Sequence, residues 1–234
     1  MQYAITLGIG LALSVSSGAS AQTLLLDLGN TGKQSNPAMF NNIVPGSQTV
    51  ANAIDTGGNF TGIGISIVND FFDTGEPSTL GTESPSGDAA QFGVDATDDY
   101  FFGHTTPFAG ADANPLGVVE FSNLSLAKTY TFTIFASRTG VTDTREAVYE
   151  AAGDAITSGT LNASNNDSQV LVLADLVPDQ FGVITISAFP SFNNDNANGF
   201  FYLGAIRVDG VPAPGSAALI GLGGLLAARR RRGD

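Results

Sequence analysis

The chain has 234 residues, with 9 basic and 22 acidic side chains, one histidine, no cysteine and no tryptophan. A net charge of −13 makes nucleic acid and anionic membrane surfaces poor partners. The missing cysteines exclude disulfides and thiol nucleophiles, and a single imidazole excludes His-cluster zinc sites, while the length suits one substantial core.

In chain order, residues 4–15 are apolar, and Ala19-Ser20-Ala21 before Gln22 has the form of a signal-peptide cleavage site. Residues 1–21 therefore read as a secretory signal helix, unusual in carrying no Lys or Arg before its apolar stretch. From Gln22 onward the sequence is β in character. Strands are predicted over 23–28, 62–68, 118–124, 129–136, 147–151, 170–173, 183–188 and 200–208. The segment 129–136, TYTFTIFA, alternates, putting Tyr130, Phe132, Ile134 and Ala136 on one face and mostly threonines on the other. Turn formers such as Gly57-Gly58, Pro85-Ser86-Gly87, Asn165-Asn166-Asp167 and Pro178-Asp179 separate the strands. Residues 73–90, rich in Gly, Ser, Thr, Pro and acid, are expected to form a long surface loop. No helical period occurs outside the two ends. The expected fold is all-β, a single β-sandwich or jelly roll over 22–210, flanked by the signal helix and a short C-terminal hydrophobic helix.

The last 24 residues, 211–234, read VPAPGSAALIGLGGLLAARRRRGD. Pro212 and Pro214 lack backbone donors and hold the chain extended, open to another protein. The apolar run 217–228 reaches about 18 Å as a helix, against a hydrocarbon core of about 30 Å, which is short for a permanent span. Arg229, Arg230, Arg231 and Arg232 would stay on the cytoplasmic side and halt translocation. Val211, Pro212, Ala213, Pro214 and the arginine cluster resemble the PEP-CTERM sorting signal of Gram-negative bacteria, with Ala213 where the family name has glutamate. The resemblance implies an exported protein held transiently at the inner membrane, cut by an exosortase-type membrane protease, and delivered to the cell surface or the extracellular polysaccharide. Without the tail the chain keeps 5 basic and 21 acidic side chains, a net charge of −16.

The body carries a second resemblance. The strand 129–138 followed by Thr144-Arg145-Glu146, the Val177-Pro178-Asp179 turn before Gly-Val-Ile-Thr-Ile, and the stretch 198–206 are similar to bacterial secreted domains of the galactose-binding-like jelly-roll type. Leu26-Asp27-Leu28-Gly29 and Asn41-Asn42-Ile43 add to it. Such modules are often attached to esterases of the SGNH type and to other carbohydrate-active enzymes, so the resemblance implies the fold and a glycan-binding role.

Catalysis is not expected. No G-x-S-x-G elbow, P-loop, dinucleotide fingerprint or H-E-x-x-H is present, and Phe101 occupies the position where an Asp-x-x-His pair would need its aspartate before His104. Asp98 and Asp99 are adjacent carboxylates, but adjacency in sequence does not set the separation that glycoside chemistry requires. Binding is better supplied. Sugar recognition needs flat aromatic faces and a few fixed polar groups, which Tyr100, Phe102 and His104 offer in one cluster, and Arg138 and Arg145 offer from either side of the loop 139–144. The competing structural roles are strand core for Tyr100 and Phe102, and salt bridges to Asp143 or Glu146 for the arginines. Oxygen-rich turns at Asn193, Asn194 and Asp195 (with Asn196 and Asn198) and at Asp95, Asp98 and Asp99 could hold a structural calcium ion, or could simply supply tight backbone geometry. No other cofactor is expected. Two functions follow: a non-catalytic exported surface or matrix protein with a structural or adhesive sandwich, or a carbohydrate-binding module recognising an extracellular glycan.

Overall fold

The computed structural model describes residues 21–71 and 78–212. The expected signal helix and the tail from Ala213 through Arg232 lie outside those residues. The described chain forms β1 (Gln22–Leu28), β2 (Phe40–Ile43), β3 (Thr49–Val50) and β4 (Gly64–Asn69), then a short 3-10 helix (Gly87–Phe92). After it come β5 (Phe101–Gly103), β6 (Gly117–Ser122), β7 (Lys128–Phe135), β8 (Glu146–Ala152) and β9 (Ile156–Asn162). The chain ends in β10 (Leu171–Leu176), β11 (Ile184–Pro190), β12 (Phe201–Leu203) and β13 (Ala205–Pro212).

These strands build a β-sandwich of the jelly-roll kind. One sheet has the order β10-β7-β13-β1-β2 and the other β3-β4-β6-β11-β8-β9, with β12-β5 as a separate two-stranded ribbon. Among the described residues the paired strands run antiparallel, except β1 with β2. The alternation seen in the sequence is the alternation of burial: β6, β8 and β11 each bury every second residue. Phe121 of β6 meets Phe132 of β7 edge to face at 4.9 Å, which places the inner faces of the two sheets against each other. Leu24, Leu26, Leu28, Ile184, Ile186 and Ala188 fill the same core.

Three sequence expectations are corrected. The loop expected over 73–90 is not wholly a surface loop, because residues 87–92 form the 3-10 helix, with Ala89 and Phe92 buried. They cover the outer face of the five-stranded sheet, joining Leu25 of β1, Phe135 of β7 and Ala205 of β13 in a second apolar cluster, with Phe92 and Phe135 at 6.0 Å. The threonine face of β7 is therefore interrupted by a buried Phe135 rather than left in water. The strand expected over 200–208 is two strands, β12 and β13, which turn at Gly204 and enter different sheets. Val211 and Pro212, expected as the open start of the tail, are the last residues of β13 and pair with Thr129 and Lys128. A strand end suits a residue with no backbone donor.

The second cluster gives a direct test. Phe92→Ala should lower stability by about 3–5 kcal/mol, the usual range for deleting a buried aromatic ring, read as a drop in the urea midpoint at unchanged m-value. A loss below about 0.5 kcal/mol, as for ordinary surface substitutions, would mean that the helix does not seal the sheet.

Candidate functional site

The ribbon β5-β12 closes one end of the sandwich and brings two aromatic-rich stretches together. Cross-strand register places Tyr202 opposite Phe102 and Phe201 opposite Gly103. The glycine is required, since a Cβ at Gly103 would stand 2.1 Å from the Phe201 ring, which runs beneath it in the core. Tyr100, just before β5, packs edge to face on Tyr202 at 4.7 Å. Phe200, just before β12, meets Phe102 at 5.7 Å and Phe108 at 4.9 Å, both edge to face.

These rings enclose a cavity of about 250 Å³ with Ser78, Arg138 and Arg145 completing its wall. Arg138 follows β7 and Arg145 precedes β8, so the two ends of one connecting loop deliver both guanidinium groups to the same space. Arg145 is fixed from several sides. Its Nε donates to Asp143 at 3.0 Å, its Nη1 donates to the Tyr202 hydroxyl, and its guanidinium lies 5.4 Å from the Phe200 ring centroid and 5.8 Å from that of Tyr202. Arg138 donates Nη1 to the Thr139 carbonyl and forms no ion pair among the described residues. Burial pushes the Tyr202 phenol up to about 12, and burial likewise raises Tyr100, so both are neutral donors at ordinary pH. Among the described residues the wall holds aromatic faces, hydroxyls and two cations, and no carboxylate.

An asparagine-rich loop holds this wall in place. Asn194 donates from Nδ2 to the carbonyls of Glu146 and Phe200, at 3.1 and 2.8 Å. Asn193 donates to Glu146 Oε1 at 2.9 Å, Asp195 Oδ1 accepts from the Thr144 amide at 2.5 Å, and Asn196 donates to Asp143. The loop thus ties the segment carrying Arg145 to the segment carrying Phe200. The side chains of Asn193, Asn194 and Asp195 each take part in this network, and among the described residues no group of three or more His, Asp or Glu is arranged to hold a metal ion.

The structure brings four of the five predicted binding residues, Tyr100, Phe102, Arg138 and Arg145, to one cavity. His104 is buried beside the wall rather than in it. Its Nδ1 lies 2.6 Å from the Thr106 carbonyl oxygen, an acceptor only, and therefore carries the proton, while the ring packs 6.0 Å from Phe200. The two roles weighed for Tyr100 coexist, because it belongs to the buried core and also lines the cavity. Phe108, Phe200 and Tyr202 were absent from the sequence-based candidates, and so was Ser78. Phe200 and Tyr202 read as strand residues, and nothing local ties them to a site about 60 residues upstream.

Asp98 and Asp99 do not face the cavity. Both are buried: Lys33 Nζ donates to Asp98 Oδ2 at 2.6 Å, and the Asn30 amide donates to Asp99 Oδ2 at 2.5 Å. Asp27 is buried close by, accepting from the Ser35 amide at 2.8 Å. Burial first, then mutual repulsion, pushes Asp99 up to about 8, and burial above all pushes Asp27 up to about 6. These three carboxyl groups are buried close to one another and lie outside the described cavity wall.

No protein-family model and no curated protein matches the chain. Among solved structures, the extracellular domain of ANXUR2 from Arabidopsis thaliana matches at 16% identity with a TM-score of 0.39 over 82% of this chain, which spans 42% of that chain's length. An F5/8 type C domain from Bacteroides fragilis matches at 11% identity and a TM-score of 0.32, covering 63% of this chain and 90% of that one. TmCBM61 in complex with β-1,4-galactotriose matches at 10% identity and a TM-score of 0.28, covering 62% and 80%. The assignment of a jelly-roll sandwich rests on the strand order and the packing of this chain itself.

Proposed function

We propose that the chain is a non-catalytic, exported β-sandwich protein that binds an extracellular glycan in the cavity between Tyr100, Phe200 and the two arginines. The observation that carries this reading is the wall itself. Apolar ring faces suit the C–H side of a sugar, while Arg138, Arg145, Ser78 and the Tyr202 hydroxyl supply fixed polar groups within the same space. Among the described residues that line the cavity there is no pair of carboxylates to support a catalytic reading.

The delivery part of the proposal rests on the terminal segments. A secretory signal in residues 1–21 and a PEP-CTERM-type tail beginning at Val211 and Pro212 would export the sandwich and present it to an exosortase-type protease. Val211 and Pro212 close a central strand, so a cut in the tail beyond them would leave the sheet whole. An exosortase gene in the same genome is required by this part, and its absence would remove it.

A glycan array probed with the full chain tests the binding. We expect saturable binding to a restricted set of glycans, weakened at least tenfold by Phe108→Ala, which removes a partly exposed ring from the cavity mouth. Flat signals across the array would leave the sandwich as a structural or adhesive unit of the surface, the second function open to this fold.

A further inference from the structure

We propose that the cavity selects a single acidic sugar residue, a hexuronate, and that Arg138 reads its carboxylate. This rests on the glycan-binding reading above and names its ligand class.

The body carries 5 basic side chains against 21 acidic ones, yet two of the 5 stand in one cavity whose described wall has no carboxylate. The two are not equivalent. Arg145 is neutralised locally by Asp143, whose carboxylate also accepts from Asn196, and its remaining bond goes to Tyr202. Arg138 has no carboxylate partner among the described residues, although acids outnumber bases fourfold in the body. Its side chain lines the cavity together with Tyr100 and Tyr202. A guanidinium left unpaired beside aromatic walls is a fork with donors to spare, and a planar carboxylate matches that fork with two parallel bonds.

Shape supplies the rest. At about 250 Å³ the space falls just under the range of about 300–1,000 Å³ typical of drug-sized ligands, so it suits one ring rather than a chain. The aromatic faces favour a sugar ring over a small inorganic anion, which would gain nothing from them. A hexuronate satisfies both demands, with its ring on the aromatic wall and its carboxylate on Arg138.

The test is calorimetric titration of the full chain with the methyl glycosides of glucuronic and galacturonic acid, beside those of glucose and galactose. The acids should bind at least about tenfold more tightly than their neutral counterparts at low salt. That advantage should shrink as sodium chloride is raised, since the contact is partly exposed. Arg138→Gln should erase the preference, and Arg138→Lys, which keeps charge without the fork, should retain part of it. Should Arg138→Gln fail to fold, the lysine variant and the salt series decide.

Equal affinity for acid and neutral sugars would overturn the uronate inference and leave the glycan reading standing. No binding of any of the four would overturn the uronate inference, and the glycan reading would then stand or fall on the array. Sulfate displacing the uronides at equal concentration would mark a bare anion site and sink the sugar part. A preference that survives Arg138→Gln would take Arg138 out of the role.

Discussion

Raising the pH from about 5 to about 9 is expected to lower the melting temperature, and Asp99→Asn is expected to remove much of that fall. Asp99 is 1% exposed, and its Oδ1 has no hydrogen-bond partner among the described residues. Its carboxyl group is admitted only because Gly29 has no side chain: a Cβ there would stand 2.1 Å from Asp99 Oδ1. An acid whose folded pKa is raised binds more protons folded than unfolded. Its contribution to stability is full below the ordinary value of 3.8 and is lost as pH rises through about 6 for Asp27 and about 8 for Asp99. Each group costs about 1.4 kcal/mol per pH unit across its own interval. After allowance for relaxation and water entry, Asp99→Asn should be more stable than the parent by about 2–4 kcal/mol at pH 9 and close to it at pH 5. The asparagine carbonyl oxygen can still accept from the Asn30 amide. The acidic body also repels itself more as pH rises, so Asp112→Asn, the same charge change at an exposed site, serves as the control. If Asp99→Asn and Asp112→Asn melt in parallel with the parent across the range, Asp99 does not oppose folding.

How much of this was legible beforehand depended on whether the signal was local. The strands β6, β7 and β11 could be read because each buries one alternating face, and β7 also buries Thr133 and Phe135 of its other face, Phe135 beneath a cover that comes from another segment. The strand β9 was missed because it is an edge strand with a mostly exposed surface, and its sequence, ITSGTLN, carries little apolar alternation. The 3-10 helix was hidden because Ala89 and Phe92 are its only buried residues, set among polar ones. At the cavity, Tyr100, Phe102, Arg138 and Arg145 were picked out by residue type in turn regions. The hydrogen bond from Arg145 to Tyr202 spans 57 positions and left no trace in either neighbourhood. For Asp98 and Asp99, adjacency in the sequence did not set where the carboxyl groups point, and the fold buries both.

Arg145→Ala should be the most damaging change in the cavity wall, because one side chain contacts Asp143, Tyr202 and the Phe200 ring at once. Its side chain is 13% exposed and that of Asp143 is 28% exposed, so the pair lies between a surface bridge of about 0–1 kcal/mol and a buried pair whose breakage costs about 3–5 kcal/mol. Removing it also takes the donor from the Tyr202 hydroxyl and the cation from the Phe200 and Tyr202 rings. A loss of about 2–3 kcal/mol in urea unfolding is expected. Glycan binding should fall further than the stability loss explains, since the ring positions relax with it. Asp143→Ala separates the contributions. It leaves Arg145 charged and still over Phe200 but frees Asn196, so it should weaken the loop while making the cavity more positive. In a double-mutant cycle the two changes should couple by about 1 kcal/mol or more, as contacting charged residues do. Additivity within about 0.3 kcal/mol would show that Arg145 is held by the rings alone. The asparagine loop would then be a neighbour of the site rather than its support.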